Sequence, residues 1–277
     1  MEKLGLGGAV LVRMSTKDVR DPQEPESGLA SVGHVVSGPP VSNGKDHKNF
    51  YFEELIQEIC RLPWEGLNAD EILRVALAYY YFSVQFRENL EIACRLSPND
   101  KLLKALHRGE CNTANLSPWE NIAADGEAMN HDEFMRRLLA LQPIAGAGAI
   151  ERSGQSYLAL TRSMDDRVRA MSIRSYEDGG LLRVFSSMLR ATGWEGEGQR
   201  AFRHFLELHI RFDCETTGHG ALSRHIALDD SIAPLWLAFR DLLRCAVPAF
   251  ADEHDPQPAA MGVWPLSKGA SECEAKR

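Results

Sequence analysis

The sequence contains no apolar run that approaches the roughly 20 residues needed to span a bilayer. It also lacks the apolar core of a secretion signal near its first residue, so we expect a cytoplasmic protein. The six cysteines are scattered and form no CxxC pair, which argues against a disulfide framework and against a thiolate zinc site. Free thiols in this number are compatible with a reducing compartment.

Basic residues are fewer than acidic ones: the sequence has 31 Lys and Arg residues and 39 Asp and Glu residues, which gives a net charge of -8. This balance argues against a protein that coats nucleic acid or an anionic membrane. The chain has 277 residues, 44% hydrophobic and 25% charged, which is typical of a globular protein with a sizeable core. We expect a small-molecule substrate, no nucleic acid and no membrane, and the sequence leaves open whether the chain forms a homodimer.

No stretch alternates apolar and polar residues in the manner of a β-strand. Instead, apolar residues recur every three or four positions, as in NFYFEELIQEICRL, which is typical of amphipathic helices. The pattern predicts a single all-α domain over residues 47–251, a bundle of seven to eight antiparallel helices. Residues 1–46, rich in Gly, Pro and Ser, are predicted to be a flexible leader, and residues 252–277 a weakly ordered tail.

Candidate metal ligands cluster in the stretch HIRFDCETTGHG, residues 209–220. His209 continues the apolar stripe of its predicted helix, and Asp213 lies one turn further along the same face. A buried carboxylate must be paired or bound to a cation, and a cation beside His209 and Asp213 would satisfy both. His219 follows ten residues after His209, so an irregularity such as a π-type bulge is needed to bring it to the same place.

Three further side chains suited to metal binding lie beside apolar helix faces. Glu110 ends one predicted helix, His131 opens another, and Glu177 precedes a glycine pair and an apolar run. Glu127 and Glu88 remain alternatives to Glu110 as the first carboxylate. Each of these residues also has a structural interpretation, since a lone buried histidine is more often hydrogen-bonded within a core than bound to metal, and an acidic residue often caps a helix.

The order Glu, His, Glu, His, Asp, His across several helices resembles the haem-oxygenase-like diiron oxidases. The resemblance covers roughly residues 50–250, and AFRHFLELHIRFD is its most family-like piece. It implies a single haem-oxygenase-like helical bundle that binds two Fe(II) ions and uses O2 to oxidise or cleave an amino acid, an amine or a fatty acid. The ligands that it implies are Glu110, His131, Glu177, His209, Asp213 and His219.

Two other classes of protein share the helical pattern. A metal-free bundle that binds a ligand, or acts without a cofactor as thiaminase-like relatives do, is expected if Glu177 and Asp213 face water. A helical interaction protein is expected if no cavity lies between the helices that carry Glu177 and His209. Among metals, the mixed imidazole and carboxylate set favours iron over zinc and calcium.

Overall fold

The computed structural model describes residues 50–213 and 219–251. The predicted leader and tail lie outside these residues. The described chain is α-helical, with only two isolated β-bridges and no strand, which confirms the predicted all-α class. Its α-helices are α1 (Tyr51–Cys60), α2 (Ala69–Leu96), α3 (Lys101–Glu110), α4 (His131–Leu139), α5 (Ala147–Arg162), α6 (Asp166–Ser175), α7 (Leu181–Met188), α8 (Glu197–Asp213), α9 (His219–Ser223) and α10 (Ala233–Ala246).

The described residues form ten α-helices rather than the predicted seven to eight, partly because a π-helix, Tyr176–Gly180, divides one predicted stretch into α6 and α7. Gly179 adopts a φ of +96°, a value that L-residues with side chains rarely adopt. A Cβ atom on Gly180 would lie 2.1 Å from the carbonyl oxygen of Ser175. The glycine pair therefore permits the distortion that follows Glu177.

The 28-residue helix α2 is central to the bundle and packs against α3, α4, α5, α6, α8 and α10. A capping box starts it: Asn68 accepts a hydrogen bond from the backbone N–H of Glu71, whose side chain accepts one from the backbone N–H of Asn68. Its middle turns bury Tyr79 and Phe82, which pack against Phe239 of α10. Within the described ranges, no helix is long and apolar enough to cross a membrane.

At one end of the bundle, helices that are distant in the sequence pack against one another. Helix α3 packs against α9, α4 packs against α8, and α9 also packs against the π-helix. The connection between α3 and α4 folds back on itself through a bridge between Thr113 and Met129. As a result, the last residue of α3, the first residue of α4 and the start of α9 become neighbours.

Candidate metal centre

Five of the six predicted ligands have described side chains, and all five meet where α3, α4, the π-helix, α8 and α9 converge: Glu110, His131, Glu177, His209 and His219. The first four are buried and line one cavity. The side chain of His219 is 14% exposed and contacts this group from α9. The prediction that these residues converge thus agrees with the geometry for every member whose side chain is described.

The first group of donor atoms joins Glu110, His131 and His209, with one ligand atom from each lying within 4.8 Å of the others. Oε2 of Glu110 lies 2.8 Å from Nδ1 of His131. The same nitrogen lies 3.1 Å from Nε2 of His209. We call these residues the first triad, and because they come from three different helices, only the folded chain assembles them.

The second triad consists of Glu110, Glu177 and His219, whose ligand atoms also lie within 4.8 Å of one another. Oε1 of Glu110 contacts Nδ1 of His219. Oε2 of Glu177 lies 3.8 Å from that same nitrogen. Glu110 therefore belongs to both triads and turns one carboxylate oxygen toward each.

The hydrogen-bond partner of His209 fixes which of its nitrogens carries a proton. Nδ1 lies 2.7 Å from the carbonyl oxygen of Phe205, which can only accept, so the Nδ1–H donates. Burial, together with the nearby His131, lowers the pKa of His209 to about 3, so the ring is neutral near pH 7. Nε2 therefore carries a lone pair and turns it toward His131.

The partner of His131 fixes its tautomer in the same way. Asn115 donates from Nδ2 to the carbonyl oxygen of Gly109 at 3.0 Å, so its Oδ1 is the atom that faces Nε2 of His131 at 3.2 Å. Nε2–H of His131 must donate to that oxygen. In the neutral ring Nδ1 then carries a lone pair, and this lone pair faces Glu110.

The shared carboxylate of Glu110 is ionised although it is buried. Burial alone would raise the pKa of Glu110, but the imidazoles of His131 and His219 outweigh it and hold the pKa well below its usual range. A carboxylate oxygen and two imidazole nitrogens thus meet in the first triad, and all three would be acceptors if both rings were neutral. Such an arrangement requires a cation between its members, either a proton or a metal ion.

Two glycines permit the close approach of the elements that carry the second triad. A Cβ atom on Gly109 would lie 2.8 Å from Nε2 of His219, and one on Gly220 would lie 2.8 Å from the carbonyl oxygen of Glu177. Both distances are shorter than the contacts that carbon makes with nitrogen or oxygen. A side chain at either position would therefore push α9 away from α3 or from the π-helix.

The cavity beside the cluster is small, with a volume of about 20 Å³, which is room for about one water molecule. Its remaining walls are largely apolar: Tyr79, Ser83, Phe86, Leu181 and Phe185. The hydroxyl of Ser83 donates to the carbonyl oxygen of Tyr80, so it is not directed to a ligand. The cavity therefore offers the cluster a nearly dry surrounding and leaves space only for a very small molecule.

The other residues considered as ligands lie elsewhere or outside the description. Glu127 pairs with Arg137 at 2.8 Å, and Glu88 pairs with Arg162 at 2.6 Å, so Glu110 is the carboxylate that joins the cluster. Asp213 ends α8, but its side chain lies outside the described part of the structure. The irregularity predicted between His209 and His219 also falls mostly on residues outside that part.

Sequence reasoning missed two residues that shape the cluster, Asn115 and Gly109. Asn115 lies in the long connection before α4, where no periodicity predicts which side chains turn inward. Gly109 did carry a signal, since glycine is a poor helix former and its presence inside α3, directly before Glu110, is typical of a close approach by another group. Only the folded structure identifies that group as His219.

Burial of neutral His209 predicts that acid destabilises the metal-free protein. An unfolded histidine is protonated below about pH 6.5, whereas folded His209 resists protonation until about pH 3. Within this window the unfolded chain binds the extra proton, so the free energy of unfolding falls as the pH falls, by up to about 1.4 kcal/mol per pH unit. Urea unfolding of chelator-treated protein at pH 7 and pH 5 measures this slope. The variant His209→Leu should reduce the slope. An unchanged slope in that variant would mean that another group causes the pH dependence.

A scan of the chain against protein-family models gives no match, and comparisons with curated proteins and with solved structures find no significant similarity. The resemblance to haem-oxygenase-like diiron oxidases therefore rests on the order of six residues in the sequence. The donor atoms, burial and charge of the cluster itself are the basis for its function.

Proposed function

We propose that the chain is a non-haem diiron oxidoreductase that uses O2 to oxidise a small metabolite. The two triads would each hold one iron(II) ion, with Glu110 shared between them and the imidazoles of His131, His209 and His219 as nitrogen donors. The remaining carboxylate in the cluster, Glu177, belongs to the second triad.

One observation carries this proposal more than any other: a carboxylate oxygen and two imidazole nitrogens converge in the first triad inside the protein. The outer partners, Asn115 and the carbonyl oxygen of Phe205, place a proton on Nε2 of His131 and on Nδ1 of His209. Histidine ligands of metals typically donate their second ring N–H to an acceptor of this kind.

Charge supports binding of more than a proton. The described cluster contains two carboxylates and three imidazoles, all buried except His219, which is partly exposed. One divalent cation would balance the charge of the two described carboxylates, and a second would give every imidazole of the cluster a metal partner, with two positive charges in excess. Mixed nitrogen and oxygen donors that leave coordination positions open are typical of non-haem iron, whereas calcium prefers oxygen alone and structural zinc prefers four closed ligands.

Within this proposal, bound iron(II) would pass electrons to O2, and the oxidised metabolite would be the net source of these electrons over a turnover. The chain itself contributes three functions. Glu110 and Glu177 balance the metal charge, the outer hydrogen bonds of His131 and His209 hold the ring nitrogens in place, and the apolar wall, including Phe86 and Phe185, excludes water. Exclusion of water strengthens electrostatic interactions in the cluster and limits side reactions.

The cavity volume of about 20 Å³ bears on the substrate. It matches a molecule of the size of water or O2 and is far below the roughly 300–1,000 Å³ of typical ligand pockets. An organic substrate must therefore displace side chains of the wall before it reaches the cluster. Tyr79, Phe86, Leu181 and Phe185 are the residues that such a substrate would move.

The proposal predicts that metal binding releases protons. In the metal-free protein a proton shared among Glu110, His131 and His209 would satisfy the converging acceptors, and a metal ion must displace it. Calorimetric titration with Zn²⁺ in buffers of different ionisation enthalpy measures the number of protons released. We expect net release near pH 7, and a binding enthalpy that is independent of the buffer would contradict a site that holds protons in the metal's absence.

O2 reactivity tests the function itself. Anaerobic protein loaded with Fe(II) should consume O2 faster than the same concentration of free Fe(II), and His209→Ala should lose this excess because it removes a nitrogen donor of the first triad. The matched control is His204→Ala, since His204 lies on the same helix but faces the carbonyl oxygen of Leu116. Equal O2 consumption by the wild type, His209→Ala and free Fe(II) would leave the metal-free bundle as the better account.

A further inference from the structure

We infer that Asn115 is a positioning residue that selects which nitrogen of His131 faces the cluster, and that it thereby sets the metal affinity of the first triad. The contacts of the two Asn115 side-chain atoms carry this inference. Its affinity part rests on the proposed metal function, whereas the tautomer of His131 is a property of the metal-free protein.

The amide of Asn115 joins two elements of the site. Its Nδ2 donates to the carbonyl oxygen of Gly109 at 3.0 Å, within the last turn of α3, where carbonyl groups have no partner inside the helix. Its Oδ1 accepts from Nε2–H of His131 at 3.2 Å. One side chain thus connects the end of the helix that carries Glu110 with the first residue of α4.

This double contact leaves the amide one orientation. If the amide were reversed, Oδ1 would face the carbonyl oxygen of Gly109, and two acceptors would meet. In the observed orientation, His131 must keep its proton on Nε2. Its Nδ1, which lies 2.8 Å from Oε2 of Glu110, is then the nitrogen that can bind a metal once the shared proton has left.

Without the Asn115 acceptor, the favoured position of the proton would change. A proton on Nδ1 of His131 could donate to Oε2 of Glu110, the nearest strong acceptor. That proton would occupy the nitrogen that the metal requires, so binding would first have to shift the proton or rotate the ring. Loss of an outer hydrogen bond to a metal-bound histidine typically reduces metal affinity by roughly 10–100-fold.

The connection between α3 and α4 is arranged to hold Asn115 in place. The backbone N–H of Asn115 donates to Oγ1 of Thr113 at 3.4 Å. The backbone N–H of Asn112 donates to the side chain of Asn130 at 2.9 Å, which closes the connection next to His131. This connection is therefore part of the site and does more than join two helices.

Nitrogen-15 NMR of labelled histidine in the metal-free protein tests the tautomer. At a pH where the His131 ring is neutral, the wild type should carry the proton on Nε2. Asn115→Leu should shift the proton toward Nδ1, whereas Asn115→Asp, which keeps an acceptor oxygen for His131 although it loses the donor to Gly109, should retain it on Nε2. A leucine variant with the wild-type tautomer would overturn the inference.

Zn²⁺ titration of the same variants tests the affinity. We expect Asn115→Leu to bind Zn²⁺ roughly 10–100-fold more weakly than the wild type, with substantial recovery in Asn115→Asp. Ser117→Ala is the matched control, because it removes a hydrogen bond to Ala114 from the same connection without contact to His131. Equal Zn²⁺ affinity of the leucine variant and the wild type would overturn the inference that Asn115 sets the metal affinity.

Failure of the wild type to bind Zn²⁺ would contradict the proposed metal centre. The NMR result would still decide the role of Asn115.

Discussion

Glu110→Gln is expected to abolish stoichiometric metal binding at both triads while the protein remains folded. Glu110 is the one described residue that belongs to both groups of donor atoms. The glutamine side chain has the same shape but no charge, and its amide N–H can donate to Nδ1 of His131 or of His219. The variant would thus satisfy the converging lone pairs without a cation. Metal counting after anaerobic Fe(II) loading and removal of loosely bound iron measures the loss.

The matched control for this variant is Glu127→Gln. Glu127 pairs with Arg137, both of them half-buried, and lies outside both triads. We expect this control to bind iron as the wild type does. If Glu110→Gln retained as much iron as Glu127→Gln, the metal would have to be bound elsewhere in the protein.

Gly109→Ala is expected to remove the metal of the second triad and leave that of the first. The new Cβ atom would meet Nε2 of His219 at 2.8 Å, so the imidazole must move away from Glu110. Helix propensity acts in the opposite direction, because alanine in α3 favours the helix by up to about 1 kcal/mol over glycine. We therefore expect iron content to fall by about half without a loss of thermal stability.

Gly148→Ala provides the control for a glycine-to-alanine change within a helix. Its Cβ atom would make only an ordinary contact of 3.6 Å with the side chain of Arg152 on α5. This variant should keep the full iron content. An unchanged iron content in Gly109→Ala would mean that His219 does not hold a metal, whereas loss of all iron would mean that the two triads do not bind independently.

Much of the site followed from local sequence patterns. The apolar periodicity of AFRHFLELHIRFD placed His209 on the inward face of α8, and the positions of Glu110 and His131 at helix ends agree with the structure. Such features depend on neighbours within one or two turns. A single sequence is therefore enough to predict such features.

The remainder depends on contacts between distant segments. The π-helix that begins at Tyr176 forms where two glycines permit a backbone distortion. The spacing of apolar residues alone predicted a continuous helix there. The contact of Asn115 with His131 requires a loop to fold back across the end of α3. The size of the cavity likewise depends on the packing of α2, α7 and α8, which no local pattern specifies.

Anomalous diffraction at the iron absorption edge, from crystals loaded anaerobically with Fe(II), would locate the metal. We expect one iron peak among Glu110, His131 and His209, and a second among Glu110, Glu177 and His219. We also expect Nδ1 of His131, and not Nε2, to face the metal, since Nε2 donates to Asn115. Iron-loaded crystals with no peak inside the cluster, or with peaks only at the protein surface, would contradict the proposed metal centre.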